Sequence, residues 1–132
     1  MEKYNKVIKL NNFEPKENAL SEKELRIQLA AAYRIFNYLK WDYLIYGHIT
    51  VRVPGPEKHF LINPFGLRYD EVTASNLVKI DLKGNIVEPS PHPVNPAGFI
   101  IHSAIHSARE DAHCVMHTHT PAGTAAAALK HP

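Results

Sequence analysis

The feature that most constrains this fold is a change of hydrophobic period along the chain. Leu25, Leu29, Ala32, Tyr33 and Phe36 recur at helical spacing, whereas Ile49, Val51 and Val53 alternate with Thr50 and Arg52. A period near 3.6 marks a helix with one buried face, and a period of two marks a strand with one buried face. Ser21 with Glu24 three residues on is a capping box, so the spacing predicts a first helix from Glu22 to about Leu39. Pro54-Gly55-Pro56 then breaks the strand before His59-Phe60-Leu61-Ile62, which predicts a two-stranded hairpin.

The rest of the chain reads in the same way. Asn63-Pro64-Phe65-Gly66 is turn chemistry, and Thr73 to Leu77 predicts a single helical turn before a strand from Val78 to Leu82. Gly84-Asn85 gives a tight return into Ile86-Val87, and Pro89 to Pro93 predicts an extended surface loop. Asn95 before Pro96 is a cap followed by proline at the first helical position, opening a helix to about Arg109. His113 to His119 alternates as a strand, Thr120-Pro121 repeats the cap-then-proline signal, and Ala125 to Leu129 predicts a helix that stops at Pro132. Residues 1–20, rich in Lys, Asn and Glu, are expected to form a flexible arm before one domain over 21–132. Helices flanking short hairpin strands predict an α/β fold with a mainly antiparallel sheet.

Composition narrows the partners. Fifteen Lys and Arg against thirteen Asp and Glu leave a net charge of +2 with no basic, aromatic-interleaved stripe, so nucleic acid is not an expected partner. The single cysteine, Cys114, cannot close an internal disulfide, and Met1-Glu2-Lys3-Tyr4-Asn5 lacks a basic-then-apolar opening, which points to the cytoplasm. Apolar runs fall far short of the roughly 18 residues of a membrane span. Nine histidines are the compositional oddity.

His117-Thr118-His119 is the sharpest chemical signal. A strand sets residues i and i+2 on one face about 6.6 Å apart, within reach of one metal ion. The same tripeptide can also be two polar residues on an outer strand face. His102 and His106 share one helix face, but no HExxH-type carboxylate accompanies them, so they are expected as polar residues on its outer side. His48, His59, His92, His113 and His131 lack a partner at ligand spacing and are expected on the surface or in loops. Gly47-His48-Ile49-Thr50 and Asn63-Pro64-Phe65-Gly66 are either turns or anion loops; as anion loops they make Gly47, Thr50, Asn63 and Gly66 substrate-binding candidates. Cys114 alternates away from His117 and is expected to be a buried small residue.

Together, the helix from Arg26 to Leu39, Gly47-His48-Ile49-Thr50-Val51-Arg52, Ile62 to Leu67, Val72 to Val78, Asn95-Pro96-Ala97-Gly98-Phe99 and His117-Thr118-His119 resemble the class II aldolase/adducin family, in its adducin subtype. The resemblance covers nearly everything after Leu20 and implies the amino-terminal part of a three-layer αβα sandwich, with the carboxyl-terminal part of the domain missing. It also implies a homo-oligomer, or a complementing carboxyl-terminal chain that supplies the rest. Zinc is held in that family by three histidines, two of which match His117 and His119. The family's proton-exchanging glutamate falls on Gly98, so the resemblance implies no catalytic residue in this chain and places it beside the zinc-dependent aldolases, which are carbon–carbon lyases, without their base. His48 stands where the family's enzymes usually carry asparagine, and Thr50 where they carry serine. The expected function is that of a zinc-type aldolase-family protein without ordinary aldol-lyase activity, with Zn2+ weakly bound or absent. A non-catalytic assembly module like an adducin head is the alternative.

Overall fold

The computed structural model describes residues 20–130. The arm expected before Leu20, and His131 with Pro132 at the other end, lie outside the described residues. The elements run α1 (Glu22–Tyr38), β1 (His48–Arg52), β2 (Phe60–Ile62), a 3-10 turn (Tyr69–Glu71), β3 (Val78–Ile80), α2 (Pro96–Ala108), β4 (Cys114–His117) and α3 (Pro121–Ala127).

The four strands form one sheet in the order β3-β2-β1-β4, with every adjacent pair antiparallel. Val51 stands opposite Leu61 and Arg52 opposite Phe60, while His48 stands opposite His117 and Thr50 opposite Val115. The odd positions of β1 join the larger apolar cluster, where Ile49, Val53 and Leu61 pack with Leu29 and Tyr33 of α1 and with Tyr69. The even positions point the other way, toward α2. On that face Phe60, Ile62, Val78 and Ile80 form a second cluster that Phe99 of α2 helps to close. The result is the expected three-layer arrangement, helix, antiparallel sheet, helix.

Local chemistry fixes the helices. The α1 capping box is complete, with Ser21 N–H donating to Glu24 Oε2 at 2.8 Å and Glu24 N–H to Ser21 Oγ at 3.3 Å. Arg26 and Lys79 share Glu22 and Glu88 in a four-residue ion-pair network that ties α1 to β3. Asn95 caps α2 by accepting from the N–H groups of Ala97 and Gly98. Tyr33 acts as an internal clamp: its hydroxyl accepts from Ile49 N–H at 2.7 Å and reaches both the Ile49 carbonyl and Asn63 Oδ1.

Several expectations are corrected. The tight return expected at Gly84-Asn85 forms but adds no further strand to the sheet: Ile86 makes one antiparallel bridge to Ile80, and Val87 N–H donates to the Lys79 carbonyl. The helix expected from Ala125 to Leu129 begins at Pro121 and ends at Ala127: Thr120 caps it through Gly123 N–H, so the cap-then-proline signal marks its true start. Cys114 is exposed instead of buried, because β4 is an edge strand whose α1-side positions, Cys114 and Met116, lack cover among the described residues.

Candidate functional site

The largest departure from expectation concerns α2. Its inward positions are Gly98, His102, Ser103 and His106, while Ile100 and Ile101 face out at 63% and 48% exposure. His102 and His106, expected on the outer face, are buried, and so is His48, expected in a loop. The physical reason is that the even face of β1 is polar. His48 and Thr50 offer hydrogen-bonding partners that only a polar helix face can satisfy, so the imidazoles turn inward and the isoleucines outward.

These side chains form one continuous file. His106 Nδ1 lies 3.1 Å from the Ala112 carbonyl oxygen, and Thr50 Oγ1 lies 2.9 Å from His106 Nε2 and 2.7 Å from His102 Nδ1. His102 Nε2 then meets His48 Nδ1 at 2.8 Å, and His48 Nε2 meets His117 Nδ1 at 3.3 Å. Burial pushes the His48 pKa down to about 4, with the nearby His117 adding to the effect, and pushes that of His102 down to about 3 with His48 adding. Burial also lowers His106 and His117. No carboxylate takes part in the file, and Arg52, whose guanidinium donates to the His106 carbonyl, adds a further positive charge nearby.

Gly98 explains how His48 fits. A Cβ built at this position would stand 2.7 Å from His48 Cδ2 and 3.0 Å from His48 Cγ, so the imidazole occupies the space that any other residue at 98 would need. The two departures noted in the sequence, histidine at 48 and glycine at 98, are therefore one packing arrangement.

His117 ends β4, half-buried beside His48, and His119 follows it exposed, with ring centroids 4.7 Å apart. Tyr43 stacks on His119 at 5.3 Å. With Nδ1 of His117 engaged by His48, its Nε2 is left for a ligand, and two imidazoles are the donor type that zinc accepts. They fit in kind and fall short in number. Among the described residues no three His, Cys, Asp or Glu side chains gather as a metal site.

The remaining candidates are placed more loosely. Thr50 is fully buried, and its hydroxyl sits between His102 and His106 as part of the histidine file. Gly47 lies against the Tyr69 hydroxyl, which is buried and without a partner. Asn63 is buried and held by Tyr33, while Gly66 is exposed at a turn with φ +95°. Tyr33 thus links the Asn63 loop to the strand that carries His48. The sequence singled out neither Tyr33 nor His48 as site residues. The available signal was that positions 48 and 50 share the strand face of His117 once the two strands pair.

The model of the Class II Aldolase and Adducin N-terminal domain matches residues 27–132. A Caulobacter vibrioides protein named "Putative aldolase class 2 protein" is 54% identical over 110 residues, which is 83% of this chain and 43% of that one. Rat alpha-adducin is 56% identical over 111 residues, 83% of this chain and 15% of its own length. The solved L-fuculose 1-phosphate aldolase from Glaciozyma antarctica superposes with a TM-score of 0.79 at 38% identity, over 90% of this chain and 50% of that one. The chain therefore spans less than half the length of these curated relatives, and it belongs to the class II aldolase/adducin N-terminal domain family.

Proposed function

We propose that this chain carries the two-histidine part of a class II aldolase-type zinc site, in its adducin-subtype form, and does not perform ordinary aldol cleavage. The observation that supports this reading is the His48 ring lying over Gly98, where the family's base would stand. His117 and His119 would hold the metal, with a third ligand from outside the described residues. Bound there, zinc supplies Lewis-acid polarisation of the oxygens of a hydroxycarbonyl substrate. The chain's own contributions are to orient His117 through His48 and to place Gly47 and Asn63 beside the strand end. A positioned acid/base group ordinarily contributes about 10²–10⁴-fold in rate, and no carboxylate stands at that place.

The test is paired. Elemental analysis after dialysis should find clearly less than one zinc per chain, and retro-aldol assays on phosphorylated ketoses, the class named by L-fuculose 1-phosphate aldolase, should show no turnover above background. Tight stoichiometric zinc lost in His117→Ala, together with turnover, would overturn the reading.

A second reading is supported by the 56% identity to alpha-adducin: a cytoplasmic, non-catalytic assembly module acting as a homo-oligomer or with a complementing chain. The outward Ile100 and Ile101 of α2 and the exposed Met116 at the sheet edge support association. Among the described residues no helix is long and apolar enough to cross a membrane.

A further inference from the structure

We infer that the buried file from the Ala112 carbonyl to His48 is a one-way hydrogen-bond relay that fixes His117 as the Nδ1-protonated tautomer and so leaves its Nε2 lone pair as the metal ligand. The inference rests on the reading of His117 as a ligand and adds four positioning residues, His48, Thr50, His102 and His106, to that site.

The direction follows from one end. A carbonyl oxygen only accepts, so His106 Nδ1 must carry the proton that reaches Ala112 O. A neutral His106 then has a bare Nε2, which accepts the single proton of the Thr50 hydroxyl. With that proton committed, Thr50 Oγ1 accepts from His102, which places the His102 proton on Nδ1. His102 Nε2 is bare in turn and accepts from His48 Nδ1. His48 Nε2 is bare and accepts from His117 Nδ1. Each step leaves one choice, and the last leaves Nε2 of His117 unprotonated. The neutrality this needs follows from the setting, in which four imidazoles lie together with Arg52 beside them and no acid in the file.

Metal-bound histidines commonly donate their second nitrogen to a carbonyl or carboxylate, which orients the ring and sets the tautomer. Here the immediate acceptor is another imidazole, and the carbonyl that directs it stands at the far end of the file. The relay also accounts for threonine at position 50: one hydroxyl must both accept and donate, which valine of the same shape cannot do.

The experiment reads tautomers in the whole chain labelled with 15N-histidine, free of metal and near neutral pH. Two-bond 1H–15N correlations should show His48, His102, His106 and His117 all protonated at Nδ1. Finding His117 protonated at Nε2 overturns the inference. Thr50→Val should leave His106 in its tautomer but release His102, His48 and His117 into mixtures, and should weaken zinc binding, titrated with the metal alone, by about 10–100-fold. Thr50→Ser should restore both. Unchanged tautomers and zinc affinity in Thr50→Val overturn the relay. If Thr50→Val does not fold, the wild-type and Thr50→Ser spectra still decide. Zinc failing to bind the wild-type chain, with all four tautomers as stated, upholds the relay and overturns the metal reading alone.

Discussion

Gly98→Ala is the smallest change that tests whether glycine at 98 exists to admit the His48 ring. The added Cβ would lie 2.7 Å from His48 Cδ2, 3.0 Å from Cγ and 3.2 Å from Nε2, against an ordinary carbon contact of about 3.5–4.0 Å. The imidazole cannot retreat, because it is buried and held through both nitrogens by His102 and His117. Overpacking of this kind costs about 1–3 kcal/mol. Against it stands the gain of about 0.5–1 kcal/mol from alanine over glycine in a helix, which position 98, the third residue of α2, can realise only in part. The net expectation is a loss of about 1–2 kcal/mol. In a His48→Asn background the shorter side chain frees that space. That change alone destabilises, because it strands His102 Nε2, yet adding Gly98→Ala to it should then be neutral or slightly stabilising. A double-mutant cycle should therefore give a coupling of about 2 kcal/mol, with the double variant more stable than the two single losses predict. Urea unfolding followed by the fluorescence of Trp41, which packs edge-on against Phe36, measures it. A coupling below about 0.5 kcal/mol would show that 48 and 98 are independent and refute the packing argument. The same geometry means that Gly98→Glu alone cannot restore an aldolase base, since the glutamate needs the space that His48 fills.

The other expectations can be checked on the same protein. His48 and His102 have pKa values lowered from 6.5 to about 4 and about 3, so the unfolded chain takes up protons first as pH falls. Stability should be full above about pH 7 and decline through the window from 6.5 to 4, by about 3 kcal/mol for a group shifted as far as His48; pH-independent urea midpoints over that window would contradict it. Tyr33→Phe should cost about 1–3 kcal/mol by stranding the Ile49 N–H and Asn63 Oδ1, and an unchanged melting temperature would remove Tyr33 as the clamp between β1 and the Asn63 loop. Sedimentation should show self-association through the outward isoleucines of α2, weakened by Ile100→Lys; a concentration-independent monomer would count against both association and the assembly reading.

What the sequence made legible was whatever depends on spacing along one element. The α1 capping box, the Asn95 and Thr120 caps, the period-two run of β1 and the pairing of His117 with His119 all came from neighbours in the chain. The sense of α2 was not legible, because which of its faces is buried depends on what the sheet presents to it. Histidines at 102 and 106 read as the solvent side; that assignment reverses once β1 shows a polar face, and the isoleucines at 100, 101 and 105 are left exposed. That polar face was itself hidden by an ambiguity of strand geometry. Alternation told that Ile49, Val51 and Val53 share a side but not whether His48 and Thr50, on the other, meet water or a helix. The register His48↔His117 decides it. Pairing β1 with β4 puts the even positions of β1 on the face of His117, where α2 covers them, and a surface-like pattern of histidines becomes a buried file ending at His117, one of the two imidazoles that spacing alone had marked. The same step turns Gly98 from an absent glutamate into the space that lets the file pass.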